Sequence, residues 1–163
     1  MRAEKIFLLS AVLSVGLAGC SDKTNPRVVT KLNTDAMLVG ELPSNPLKER
    51  VITSWVDQRD ATMSTLYGND VAVQYARTSV ERKYPVGAVL SAVTWGQQED
   101  ARWFGGRMPQ RAKAVEFVTV TGPGAYSYQR YEGSPLKKVA GVDGADPAGR
   151  AAYLLAQRAA VMP

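Results

Sequence analysis

Val115-Glu116-Phe117-Val118-Thr119-Val120, then Thr121-Gly122-Pro123-Gly124, then Tyr126-Ser127-Tyr128-Gln129-Arg130-Tyr131, is the stretch that sets the architecture. Two runs rich in β-branched and aromatic residues flank a Gly-Pro-Gly reversal, which predicts neighbouring antiparallel strands. Upstream, Ala88-Val89-Leu90-Ser91-Ala92-Val93-Thr94-Trp95 is almost continuously apolar, as a central strand should be, and Tyr84-Pro85-Val86-Gly87 reads as the turn that leads into it. Val51-Ile52-Thr53-Ser54-Trp55-Val56 reads as a strand, with a helix as the alternative, and Thr62-Met63-Ser64-Thr65-Leu66-Tyr67 alternates like a half-buried strand ended by Gly68-Asn69. From Asp70 to Arg77 the apolar spacing fits two helical turns, capped by Asn69 or Asp70. After a glycine-rich loop over 141–149, residues Arg150 to Ala160 are strong helix formers. The fold class expected is α+β: mainly an antiparallel β-sheet with a short internal helix and a C-terminal helix.

The chain opens on a short basic start, Met1 to Lys5, and a mainly apolar run, Ile6 to Gly16, closed by small residues. That is signal-peptide architecture. As a helix the run would span about 17 Å, short of the roughly 30 Å hydrocarbon layer. It ends at Leu17-Ala18-Gly19-Cys20, which resembles the lipobox of bacterial lipoproteins, so Cys20 is the expected lipid attachment site (palmitate or a similar acyl chain). Several acyl chains, at about 0.8 kcal/mol per buried CH₂, would hold the protein at a membrane. Ser21 in the next position, by resemblance to enterobacterial sorting, favours the outer membrane, with the protein facing the periplasm. The expected organisation is a signal peptide over 1–19, a lipid-attached tether and lead-in over 20–48, and one domain over 49–163. The 144 residues left after cleavage suffice for one hydrophobic core.

Composition removes whole classes of chemistry. The chain has no histidine and one cysteine. With Cys20 acylated, Ser-His-Asp and Cys-His catalysis, thiolate or imidazole zinc sites and Cys-x-x-Cys-His haem attachment all lack their residues. The net charge of +5 falls to +4 as Arg2, Lys5 and Glu4 leave with the signal. These charges are scattered, without the basic stripe and interleaved aromatics of a nucleic-acid reader, so no nucleic-acid partner is expected. The partner expected is the membrane, through the N-terminal lipid. No catalytic residue and no metal site are assigned.

One segment, Trp95 to Pro109, concentrates two tryptophans, two carboxylates and two arginines in what reads as a long polar connection. Such a loop is either pinned to the core or shapes a pocket. In the first reading Trp95 and Trp103 bury apolar area while Glu99 or Asp100 pairs with Arg102 or Arg107. In the second, Trp95, Glu99, Asp100, Arg102, Trp103, Phe104, Arg107 and Glu116 surround a pocket in which a desolvated carboxylate serves as a base. Gly105-Gly106 and Gly122-Pro123-Gly124 lack the lysine and the context of a phosphate loop. Tyr126 and Tyr128 should share one sheet face, and Lys137-Lys138 reads as solvated surface.

The succession Leu66-Tyr67-Gly68-Asn69-Asp70-x-Ala72, Tyr84-Pro85-x-Gly87-Ala88-Val89-Leu90, Thr94-Trp95 and Trp103-Phe104-Gly105 resembles the cytochrome P-460 domain family, from about Val51 to the C-terminus. The resemblance implies a mostly antiparallel sheet with a few helices, and a homodimer, since the family is often dimeric. Haem-bearing members carry Cys-x-x-Cys-His near the C-terminus, and some cross-link a lysine to the porphyrin. This chain has neither a histidine nor a second cysteine, and no lysine follows Pro85 in the strand, so covalent c-type haem is excluded. The leading functional expectation is therefore a non-enzymatic binding or interaction lipoprotein without a covalent cofactor. The alternatives are a carboxylate-dependent enzyme or small-molecule binder, a non-covalent haem protein held by Met, Tyr or Lys with a redox or gas-binding role, and a structural envelope component.

Overall fold

The computed structural model describes residues 33–79, 81, 83–139 and 146–160. The expected signal peptide, Cys20 and the first part of the tether lie outside the described residues, as do positions 141–145 of the glycine-rich loop. The protein is α+β and mainly antiparallel sheet. β1 (Arg50–Asp57), β2 (Thr62–Gly68), β3 (Val89–Glu99), β4 (Arg107–Gly122), β5 (Ala125–Glu132) and β6 (Lys137–Lys138) lie side by side in chain order. α1 (Asp70–Thr78) sits in the β2–β3 connection, and α2 (Pro147–Leu155) follows the sheet.

Alternation along the strands divides the side chains between two faces. On the inner face Ile52, Leu66, Leu90, Ala92, Val118 and Val120 pack against Ala72, Val73 and Ala76 of α1 and Ala151 and Leu154 of α2. On the outer face Val93, Trp95, Val115, Phe117 and Tyr131 gather with Leu136, Ala36, Leu38 and Leu42. Burial on both faces is why β3 reads as a continuous apolar run.

From Asn33 the expected lead-in packs onto the domain. Residues from Asn33 onward form one compact unit. The apolar island Ala36 to Val39 supplies its cover: Leu38 packs on the outer face, and the Leu136 amide donates to the Val39 carbonyl at 2.7 Å. Gly40 passes so close to Leu136 that a Cβ there would lie 2.3 Å from the Leu136 carbonyl oxygen, and its φ of +149° also favours glycine.

Residues 97–109 do not form a long loop either. β3 and β4 run on as a hairpin until only residues 100–106 are left as a turn. Gln97, Gln98 and Glu99 extend the strand beyond the core, where both faces are wet and polar residues suit either. The C-terminal helix starts before Arg150 because Asp146 caps it, its carboxylate accepting from the Ala148 and Gly149 amides at 3.0 and 2.9 Å, with Pro147 preset for the first turn. Lys137 and Lys138 are exposed as expected, yet they pair with β5.

Candidate functional site

The residues grouped around the two tryptophans fall in three separate places. Trp95 points to the outer face, buried, and its indole Nε1 donates to the Ala36 carbonyl at 3.0 Å. Glu116 lies on the opposite face, directly across from Ala92 on β3 and Arg130 on β5. Glu99, Asp100, Arg102, Trp103, Phe104 and Arg107 belong to the projecting tip of the β3–β4 hairpin. The pocket expected beneath Trp95 and Trp103 is therefore not formed, because one sheet separates Trp95 from Glu116 and the hairpin carries Trp103 away from the core.

Glu116 is 1 % exposed and saturated with donors. Arg150 binds it from α2, Nε at 2.9 Å and Nη2 at 2.8 Å; the Tyr128 hydroxyl donates at 2.6 Å, and Arg130 Nη1 approaches to 3.4 Å. Burial is the largest influence and works to raise the carboxyl pKa. Hydrogen bonds from Arg150 and Tyr128, with the charges of Arg150 and Arg130, outweigh it and hold the group below its ordinary value. A carboxylate this well paired is a poor base and holds no proton to give, so its work is to fasten α2 to the sheet.

At the hairpin tip both carboxylates find an arginine. Asp100 binds Arg102 at 3.1 Å, and Glu99 lies 3.8 Å from Arg107. The Arg102 hydrogen bonds lower the Asp100 pKa, so that group is an ionised turn former. Both pairs are in water and contribute little to stability.

A hollow of about 500 Å³ lies instead over the outer face, between the β1–β2 edge and the stretch 33–47. Trp95, Met63 and Tyr67 line it from the sheet, Val56 and Ser54 from β1, and Ala36, Met37 and Leu47 from the covering segment. Sequence reasoning singled out Trp95 alone of these. The signal for the rest was the alternation of β2, which puts Met63, Thr65 and Tyr67 on one face. Burial raises the pKa of Tyr67, with Thr65 a smaller opposing influence, so the phenol keeps its proton and can offer a hydrogen bond. Val56 and Met37 stay 55 % and 59 % exposed, which marks an open apolar wall, not packed core.

Two other phenols link pH to stability. Tyr84, whose hydroxyl donates to the Gln157 carbonyl at 3.0 Å, is pushed up to about 12 by burial, opposed by the Arg158 charge. Tyr128 is likewise pushed up to about 12, by burial and then by Glu116. In the unfolded chain both ionise near 10, so folding loses stability as pH rises above 10. Phenolate absorbance followed during alkaline titration should show these two tyrosines ionising together with loss of structure; ionisation of every tyrosine near pH 10 with the fold intact would contradict it.

Among the described residues no helix is long and apolar enough to cross a membrane, and no three carboxylates gather to hold a metal ion. In comparisons with known proteins, no family model and no curated sequence matches the chain.

Proposed function

We propose that this is a lipid-anchored protein of the bacterial envelope whose cytochrome P-460-like domain binds a small, neutral, largely apolar molecule in the outer-face hollow. The observation that carries the binding part is the hollow itself: about 500 Å³, with a wall of Trp95, Met63, Tyr67, Val56, Met37 and Leu47. Its size and apolar lining, with one phenol able to fix orientation, fit the general character of small-molecule sites. Anchorage rests on the lipobox ending at Cys20 and the P-460 likeness on the quoted motifs. Non-covalent haem fits the hollow less well. Its lining offers iron two thioethers and a phenol that burial keeps protonated, and contains no lysine or arginine to meet the propionates.

Two measurements test this reading. The mass of the chain purified from membranes should show Cys20 acylated and residues 1–19 removed; an unmodified, unprocessed chain defeats the anchoring part. For the hollow, N-phenyl-1-naphthylamine serves as a neutral apolar probe whose fluorescence rises on binding. Val56→Glu places a charge in an exposed wall, so the fold should keep its stability within about 0.5 kcal/mol while probe affinity drops at least about tenfold. Equal binding by the parent and Val56→Glu, or none by the parent, rejects the hollow as the site. A stoichiometric Soret band after haem addition, removed by Met63→Ala or Tyr67→Phe, would favour the haem alternative.

A further inference from the structure

The tip of the β3–β4 hairpin carries two large aromatic side chains that the fold does not use. Trp103 is 75 % exposed and Phe104 is 105 % exposed, in consecutive positions at the apex. Consecutive apolar aromatics held in water cost free energy unless another surface covers them.

The turn that holds them is well built. The Asp100 amide donates to the Gly106 carbonyl at 3.0 Å, the Trp103 amide to the Asp100 carbonyl at 3.1 Å, and the Gly106 amide to the Trp103 carbonyl at 2.8 Å. Asp100 Oδ1 also accepts from the Arg102 amide at 2.9 Å, and Gly105 takes a φ of +74° that glycine adopts freely. The pair is thus presented by a closed turn at the end of a two-stranded arm.

The chain enters the domain at the end that carries the tip. The Asn33 side chain donates to the Pro109 carbonyl at 2.6 Å, and Pro109 pairs with Gln97, next to the last two pairs before the turn. The β1–β2 turn lies at the same end of the sheet, its Ala61 carbonyl accepting from the Gln97 amide at 3.0 Å. Twelve residues, 21 to 32, separate Cys20 from Asn33. Fully extended they reach at most about 45 Å, and whatever path they follow, they join the domain at the end that bears Trp103 and Phe104. Charge at that end is balanced, with Arg102 on Asp100 and Arg107 facing Glu99, so an anionic partner is not required.

We infer that Trp103 and Phe104 form a membrane-contact element, which seats in the lipid–water interface of the leaflet that holds the Cys20 lipid. This rests on the anchoring proposed above. An indole and a phenyl ring at an apex, flanked by charged residues with long side chains, match the amphipathic depth of that interface.

The test uses the processed, acylated chain, its acyl mass verified first, reconstituted in neutral phosphatidylcholine vesicles with or without bromine on the acyl chains. Bromine quenches tryptophans only at short range, and Trp103 is one of three in the chain. The expected result is partial loss of tryptophan emission in the brominated vesicles. That loss should vanish in Trp103→Phe, which removes the reporter, and shrink at least severalfold in Phe104→Glu, which keeps it; both variants should melt like the parent. Identical emission in the two kinds of vesicle overturns the inference, as does a doubled mass in detergent that Phe104→Glu returns to monomer, since the tip would then be a contact between copies. If the chain carries no acyl mass, the anchoring reading fails separately, and the tip is judged by adding the unacylated chain to the same vesicles: quenching at Trp103 supports it and its absence overturns it.

Discussion

Replacing Glu116 with alanine lowers the stability of the domain by about 3 kcal/mol, a loss of roughly 10 °C in Tm. The substitution removes the one acceptor shared by Arg150, Tyr128 and Arg130, and leaves a guanidinium and a phenol at a partly buried site without a partner. Breaking a buried pair on one side costs about 3–5 kcal/mol, and the lower end applies here because Arg150 and Arg130 keep 29 % and 21 % of their side-chain surface in water. Glu116→Met combined with Arg150→Met should recover part of the loss, because no lone charge then remains at the helix–sheet junction. Urea unfolding of the parent, Glu116→Met, Arg150→Met and the double variant gives the coupling directly, and additivity within about 0.5 kcal/mol would show that the pair does not fasten the helix.

The same cluster sets the response to acid. The folded carboxyl lies below the 4.5 of an unfolded glutamate, so the unfolded chain binds the proton more readily. Stabilisation from the cluster is complete above that value and is lost as the pH falls through the lower, folded one. The parent should therefore lose more stability than Glu116→Gln when the urea midpoint is compared at pH 7 and about pH 3. Parallel losses in both proteins would place the acid sensitivity elsewhere.

Glu116 also shows where the sequence was legible and where it was not. Period-two alternation in Val115 to Val120 already puts Glu116 on the face of Val118 and Val120, away from Val115 and Phe117. Grouping it with Trp95 followed closeness along the chain, whereas the sheet places Trp95 with Phe117 on the other side. Its partner Arg150 stands 34 residues later on a helix, a distance that no local pattern bridges. Strands and helices were readable because burial on both faces of β3 and alternation in β2 leave marks in composition. The packing of the lead-in from Asn33 was not, because its polar and turn residues resemble a tether while Ala36, Leu38 and Leu42 pack on the outer face. Likewise Trp103 and Phe104 promised a pocket by residue type, and only the length of the hairpin, written in polar residues that suit loop and strand alike, carries them into solvent.

Asn69→Ala should destabilise the domain by about 2 kcal/mol while Asp70→Ala changes it by less than about 0.5, although either could have capped α1 as far as the sequence alone says. The Asn69 side-chain Oδ1 accepts from the Ala72 amide at 3.0 Å, which caps the helix, and from the Val89 amide at 3.2 Å, which fixes the start of the central strand. Its side-chain Nδ2 donates to the Gly87 carbonyl at 2.9 Å, closing the Tyr84-Pro85-x-Gly87 turn. Loss of the cap contributes about 1 kcal/mol, and the two remaining hydrogen bonds a similar amount together, since Gly87 is exposed and its carbonyl can turn to water. Asp70 is exposed and, among the described residues, its carboxylate reaches only Arg50, at 3.5 Å in solvent. Next to Asn69, a Cβ on Gly68 would lie 2.7 Å from Ile52 Cδ1 and 2.9 Å from Ala72 Cβ, so the same junction demands a glycine. Leu66 to Ala72 and Tyr84 to Leu90 are thus the two halves of one structural joint between β2, α1 and β3. A protein sharing these residues shares the joint, and the hollow proposed as the binding site stands apart from it, touched by these two segments at Tyr67. Thermal melts of Asn69→Ala, Asn69→Ser and Asp70→Ala decide the matter: Asn69→Ser should restore the cap and about half the loss, and equal effects at positions 69 and 70 would show that the joint is held by something other than this side chain.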